Sequence, residues 1–232
     1  MNQNRKLEIE NITIDILNKY RISSNPGKHL EEIINGENIK LVPNYEWPFE
    51  YCGRFIRKDN DVTIIYNGNH SKDIQAFTFA HELGHYFLKH FDDSDDETIC
   101  LSRDLGGLDD DDENKPKEVE ANFFAACLLL PSKWVKIEFI KFMDSINRSG
   151  IMFVDKQECN LIDYKKCIDH FRMSFLASET AIRYRLIGMK LMVFDKSYFT
   201  RKDRKLRSIS ELLQKIMVDL ELRSEEYYKE SL

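Results

Sequence analysis

The stretch Phe77-Thr78-Phe79-Ala80-His81-Glu82-Leu83-Gly84-His85 decides how this chain reads. Histidines four residues apart lie one turn apart on one face of a helix, with Cβ atoms about 5–6 Å from each other. That separation lets both imidazoles reach one Zn²⁺ at about 2.0–2.1 Å. Glu82 is rotated off their axis and is placed to hydrogen-bond a metal-bound water, so the pattern reads as two ligands plus a general base. The flanks suit a helix. Ser71 stands at the N-cap position, Asp73 favours the positive end of the dipole, and no proline interrupts Ile74 to Leu88. Ile74, Phe77 and Leu88 on one side and Phe79, Leu83 and Phe87 on another predict a buried helix. Buried histidines need partners, and a metal is one; the plainer alternative is two core histidines satisfied by ordinary hydrogen bonds.

A hydrolytic zinc site needs a third protein ligand and an open position for water. His90, five residues past His85, is expected to point away from the pair. The next strong helical pattern runs from Lys117 to Leu130, starting beside Pro116 and stopping before Pro131. Within it Glu120 shares a face with Phe123, Phe124, Cys127 and Leu128, whereas Glu118 is nearer the frayed start. A carboxylate on a packed face needs a cation, which favours Glu120 as the third ligand, with Glu118 next in line. Asn122, Ala121 and Ala125 are assigned to packing and to orienting the ligands.

These two helices, with the acidic interval between them and the ending Leu128-Leu129-Leu130-Pro131, resemble the ImmA/IrrE family of zinc metallopeptidases. Ser178-Glu179-Thr180-Ala181-Ile182-Arg183-Tyr184-Arg185-Leu186-Ile187-Gly188 looks like a further helix of that family. The resemblance covers roughly residues 10 to 190 and implies a small gluzincin-like fold. It makes His81, His85 and the glutamate before Ala121-Asn122, that is Glu120, the Zn²⁺ ligands. It also implies a zinc metallo-endopeptidase that cleaves a helix-turn-helix repressor in the cytoplasm. In that reading Glu82 takes a proton from the metal-activated water and returns it to the leaving amine. Two alternatives stand beside it: a latent or non-cleaving module that regulates a repressor or antitoxin through the same fold, and a structural zinc protein. The second would need a fourth ligand at helical spacing, which the sequence lacks.

The 232 residues suffice for one domain with a real core. The expected domain spans 1–190, with ligand helices near 71–90 and 117–130; 191–232 reads as an appendage of one strand and a helix from Ser208 to Tyr227. The N-terminus lacks the apolar core of a signal peptide, and the longest apolar run, Phe123 to Leu130, is too short to span a bilayer. Five cysteines with no C-x-x-C pair suit free thiols in a reducing cytoplasm.

Other elements follow from periodicity: helices over 7–20, 29–35, 132–145, 158–171 and 178–187, and strands over 39–42, 51–56, 62–66 and 190–194. Lys58-Asp59-Asn60-Asp61 predicts a hairpin turn. The fold class is therefore α+β, mainly helical, with a small antiparallel sheet before the zinc helix. The edge of that sheet is a candidate for holding an extended peptide by strand addition. Residues 92–113 hold eleven acidic side chains against Arg103, a net of −10 in a chain of net −6, leaving +4 elsewhere. That segment reads as a solvated loop or as a steering surface for a basic substrate. The six basic residues from Lys196 to Arg207 read as a solvated face, and the acidic balance argues against direct nucleic-acid binding.

Overall fold

The computed structural model describes residues 1–58, 61–90, 97–101 and 116–195. Seven α-helices and six strands lie in them. They are α1 (Gln3–Lys19), α2 (Leu30–Gly36), β1 (Ile39–Asn44), β2 (Tyr51–Lys58), β3 (Asp61–Asn67), α3 (Lys72–Phe87), β4 (Glu97–Leu101), α4 (Pro116–Leu129), α5 (Ser132–Ser145), β5 (Met152–Val154), α6 (Glu158–Phe175), α7 (Glu179–Gly188) and β6 (Met192–Phe194). The mainly helical α+β class expected from the sequence is the one observed.

The larger sheet has the order β1-β3-β2-β4. β2 and β3 form the expected hairpin, with Lys58 opposite Asp61. β1 runs parallel to β3 and β4 antiparallel to β2, so the sheet is mixed rather than wholly antiparallel. β4 lies inside the acidic segment, which is therefore not loop throughout; pairing with β2 supplies a partner for its backbone that no periodicity announced. The rest of residues 92–113, the basic run 196–207 and the helix expected from Ser208 lie outside the described residues. β6 pairs parallel with β5, and its Met192 joins the common core.

The core forms where α3 and α4 cross beneath the sheet. Every residue of α3 from Gln75 to His85 is buried. On α4 all residues from Val119 to Leu129 are buried except Glu120 and Phe123. Phe55 and Ile64 from the sheet, Phe77 and Leu83 from α3, Phe124 and Leu128 from α4, and Ile9 from α1 are all essentially inaccessible. Each such side chain contributes about 1.5–3 kcal/mol relative to exposure. Gly84 sets the helix separation: a Cβ there would lie 3.1 Å from both the Cα and the carbonyl oxygen of Ala121. Two small residues at the crossing let the backbones of α3 and α4 meet, and with them the polar residues one turn away. Among the described residues no helix is long and apolar enough to cross a membrane. Cys52, Cys127, Cys159 and Cys167 are free thiols.

Candidate metal centre

The expected N-cap of α3 takes another form. Ser71 is the N-cap residue, but its hydroxyl donates to Asp73 Oδ1 (2.5 Å) instead of accepting from the helix. The helix nevertheless places both histidines on the side facing α4. His81 Nε2 and His85 Nε2 are 3.1 Å apart. Glu118, in the first turn of α4, closes the triangle, with Oε2 3.3 Å from His81 Nε2 and Oε1 3.4 Å from His85 Nε2. Donor atoms about 2.0–2.2 Å from one tetrahedral metal lie roughly 3.3–3.4 Å from each other. The three observed separations, 3.1, 3.3 and 3.4 Å, lie close to that spacing, so His81, His85 and Glu118 together could hold a metal ion. Glu118 Oε2 is also buried without a well-aligned donor, an expensive arrangement unless a cation joins the cluster.

Glu120, the expected third ligand, is not brought to the histidines. Residues two apart on a helix point about 200° away from each other, and Glu118 is the one that faces His81 and His85. Glu120 turns to α1, where Arg5 Nε donates to Oε1 (2.9 Å) and Nη2 to Oε2 (2.6 Å). Facing the core did not single it out, because α4 is buried almost all round. A better signal was the small, polar stripe Glu118-Ala121-Asn122-Ala125, spaced i, i+3, i+4, i+7, a face that a glycine-bearing helix can approach closely.

His90 also departs from expectation. Lys89 adopts φ 56°, a left-handed stop to α3, and His90 N–H bonds back to the His85 carbonyl (3.1 Å). That turn folds the His90 ring onto the site. His90 Nδ1 lies 3.1 Å from His85 Nδ1, and its Nε2 lies 3.2 Å from Glu120 Oε2. Helical spacing alone had directed it elsewhere. On the other ligand, His81 Nδ1 donates to Asn122 Oδ1 (2.9 Å), the orienting role foreseen for Asn122.

The electrostatics follow from burial and neighbours. Burial pushes His85 down to about 4. For His81 the same penalty is outweighed by Glu118, Glu82 and Asn122, which raise its pKa. Burial opposes the Glu118 carboxylate too, yet His81 and His85 hold it well below the usual carboxylate range.

Glu82 is completely buried, with its carboxylate against β2. A Cβ added at Gly53 would stand 3.1 Å from Glu82 Oε1 and 2.5 Å from Thr78 Cγ2. Glycine at 53 therefore lets β2 pass over the carboxylate, a requirement that the sequence reading missed. The start of β2 is pinned by Asn67, whose side-chain amide donates to the carbonyls of Pro48 (3.1 Å) and Tyr51 (2.9 Å).

Arg185, in the third stretch that resembles the family, is remote from this chemistry. Its Nε donates to the Leu130 carbonyl (2.9 Å) and its Nη2 to Glu10 (2.5 Å), so it ties the end of α4 to α1.

No curated protein matches the chain. A family model does: the peptidase M78 model, described as the IrrE N-terminal-like domain, matches residues 53–175. That span runs from the glycine beside Glu82 through both helices of the candidate metal site to the end of α6. With more than half its length matched, the chain belongs to the IrrE N-terminal-like, peptidase M78 family, and carries a metallopeptidase-like domain.

Proposed function

We propose that this protein is a zinc-dependent endopeptidase of the cytoplasm that cuts a specific protein partner such as a helix-turn-helix transcriptional repressor. The observation that carries the reading is the convergence of His81, His85 and Glu118 at metal-ligand spacing beside the buried carboxylate of Glu82. These three residues would hold the metal, with Glu118 taking the place that the resemblance gave to Glu120. When bound, Zn²⁺ would supply Lewis-acid polarisation of a peptide carbonyl and would make a water acidic enough to lose a proton near neutrality.

The protein's own residues supply the rest. Asn122 fixes the His81 ring through Nδ1, leaving Nε2 for the metal. Glu82 accepts the proton of the attacking water and delivers it to the leaving amine. Its burial beneath β2 keeps bulk water from competing for that proton, and Gly53 leaves room for the carboxylate to move. The repressor assignment rests on the resemblance to the ImmA/IrrE family, and the cytoplasmic one on the free thiols.

The test is a cleavage assay comparing wild type with Glu82→Gln on a purified helix-turn-helix repressor from the same genome. We expect the variant to keep its zinc and its melting temperature while cleavage falls by about 10²–10⁴-fold. Cleavage at the wild-type rate would remove Glu82 as the base. A zinc-loaded wild type that leaves the partner intact would overturn the repressor as substrate.

A further inference from the structure

We propose that His90, braced by Glu120 and Arg5, is a positioning residue: it fixes the tautomer and plane of His85 so that His85 Nε2 faces the metal. The inference rests on the proposed metal site and adds the residues that hold it in register. An imidazole ligand must keep its proton on the nitrogen away from the metal, and the partner accepting that proton selects the tautomer. For His81 the partner is Asn122. For His85 it is His90, whose Nδ1 lies 3.1 Å from His85 Nδ1.

His90 can accept there only if its own proton sits on Nε2, and Glu120 ensures this. Its Oε2, 3.2 Å from His90 Nε2, is acceptor-only. Glu120 is in turn held by the two-point contact from Arg5, at 2.9 and 2.6 Å. The order is thus Arg5 to Glu120 to His90 to His85, with each N–H pointing toward the carboxylate and His85 Nε2 left as a lone pair. The ring planes of His85 and His90 meet edge to face at 75°, which is compatible with a nitrogen-to-nitrogen hydrogen bond. The left-handed Lys89 is what makes the contact possible, because a helix continued past Leu88 would carry His90 away.

Chelator competition with Zn²⁺, and the visible spectrum of the Co²⁺-loaded protein, test the chain of contacts. His90→Phe removes the acceptor and should weaken Zn²⁺ binding by about 10–100-fold and alter the Co²⁺ bands. His90→Asn places a carboxamide oxygen near the position of Nδ1 and should stay within about threefold of wild type. Metal-free melting temperatures of both variants separate lost positioning from lost fold. Wild-type affinity in His90→Phe, or equal losses in His90→Phe and His90→Asn, would overturn the proposal. Should His90→Phe fail to fold, nitrogen-resolved NMR of the Zn²⁺-loaded wild type decides: we expect His85 to show a slowly exchanging Nδ1 proton. A proton on His85 Nε2 would refute it. Failure of the wild type to bind Zn²⁺ at all would instead refute the underlying metal reading.

Discussion

Helix α4 is tied to α1 at both ends, and the two ties are chemically opposite. At the C-terminal end Glu10 accepts from Arg185 and from the Ser132 hydroxyl, while Arg185 also donates to the Leu130 carbonyl. Cation, anion, hydroxyl and carbonyl match, so the cluster is closed. At the N-terminal end Arg5 donates twice to Glu120, while the imidazoles of His81, His85 and His90 and the carboxylate of Glu118 crowd together at separations of about 3.1–3.4 Å. The first cluster is a matched structural tie, whereas the ligand atoms of His81, His85 and Glu118 in the second converge closely enough that they could hold a metal ion. The difference lies in geometry, because both clusters are mostly buried.

The comparison breaks most sharply at the metal. Glu118→Ala should remove stoichiometric zinc, weakening binding by more than the roughly 100-fold that an outer contact costs, while Glu120→Ala keeps about one zinc per chain. Elemental analysis of the two purified variants checks this, and an empty Glu120 variant beside a loaded Glu118 variant would reverse the assignment.

At the closed end the effect should fall on stability alone. Arg185→Met leaves Glu10 and the Leu130 carbonyl without their donor, and breaking a buried pair costs about 3–5 kcal/mol. Glu10 is partly hydrated, its side chain 24 % exposed, so we expect the lower bound, about 3 kcal/mol. Thermal unfolding should show a fall of roughly 6–12 °C with zinc stoichiometry unchanged. A loss of zinc in this variant would mean that the two ends are coupled.

Gly84→Ala tests the crossing between the two ends. The added Cβ would meet the backbone of Ala121 at 3.1 Å, and backbone yields less easily than a side chain. We expect about 1–3 kcal/mol of destabilisation by denaturant titration, together with weaker zinc binding as Glu118 is pushed from the histidines. Unchanged stability would show that the helices separate freely.

The smallest effect concerns pH. Burial alone would raise the Glu10 pKa, but Ser132 and Arg185 outweigh it and bring the pKa below its ordinary value of 4.5. A depressed carboxylate stabilises the fold fully above the unfolded value and loses that contribution as pH falls through the folded one. Between about pH 6 and pH 3 the wild type should therefore lose more stability than Arg185→Met, by about 1 kcal/mol or less because the Glu10 carboxylate is partly hydrated. Parallel pH profiles in urea would overturn the assignment of this pair.

Much of this arrangement was legible in advance. The spans of α3, α4 and α5 follow from apolar periodicity and proline boundaries, which act within a few turns of chain. The hairpin of β2 and β3 follows from its turn residues for the same reason. β4 was not legible, because an acidic segment becomes a strand only when β2 offers its hydrogen bonds. Nor was β5, whose three residues carry no period and are fixed by pairing with β6.

The same division runs through the site. His81, Glu82 and His85 were determined by the sequence itself, since a four-residue spacing on one helix fixes their relative directions before any packing occurs. Whether Glu118 or Glu120 joins them depends on which face of α4 meets α3, and Gly84 against Ala121 makes that choice. Whether His90 leaves the site or returns to it depends on a single left-handed residue, Lys89. Short-range geometry is written in the order of residues. The pairing of helix faces is decided by backbone contact, and only the folded molecule brings those backbones together.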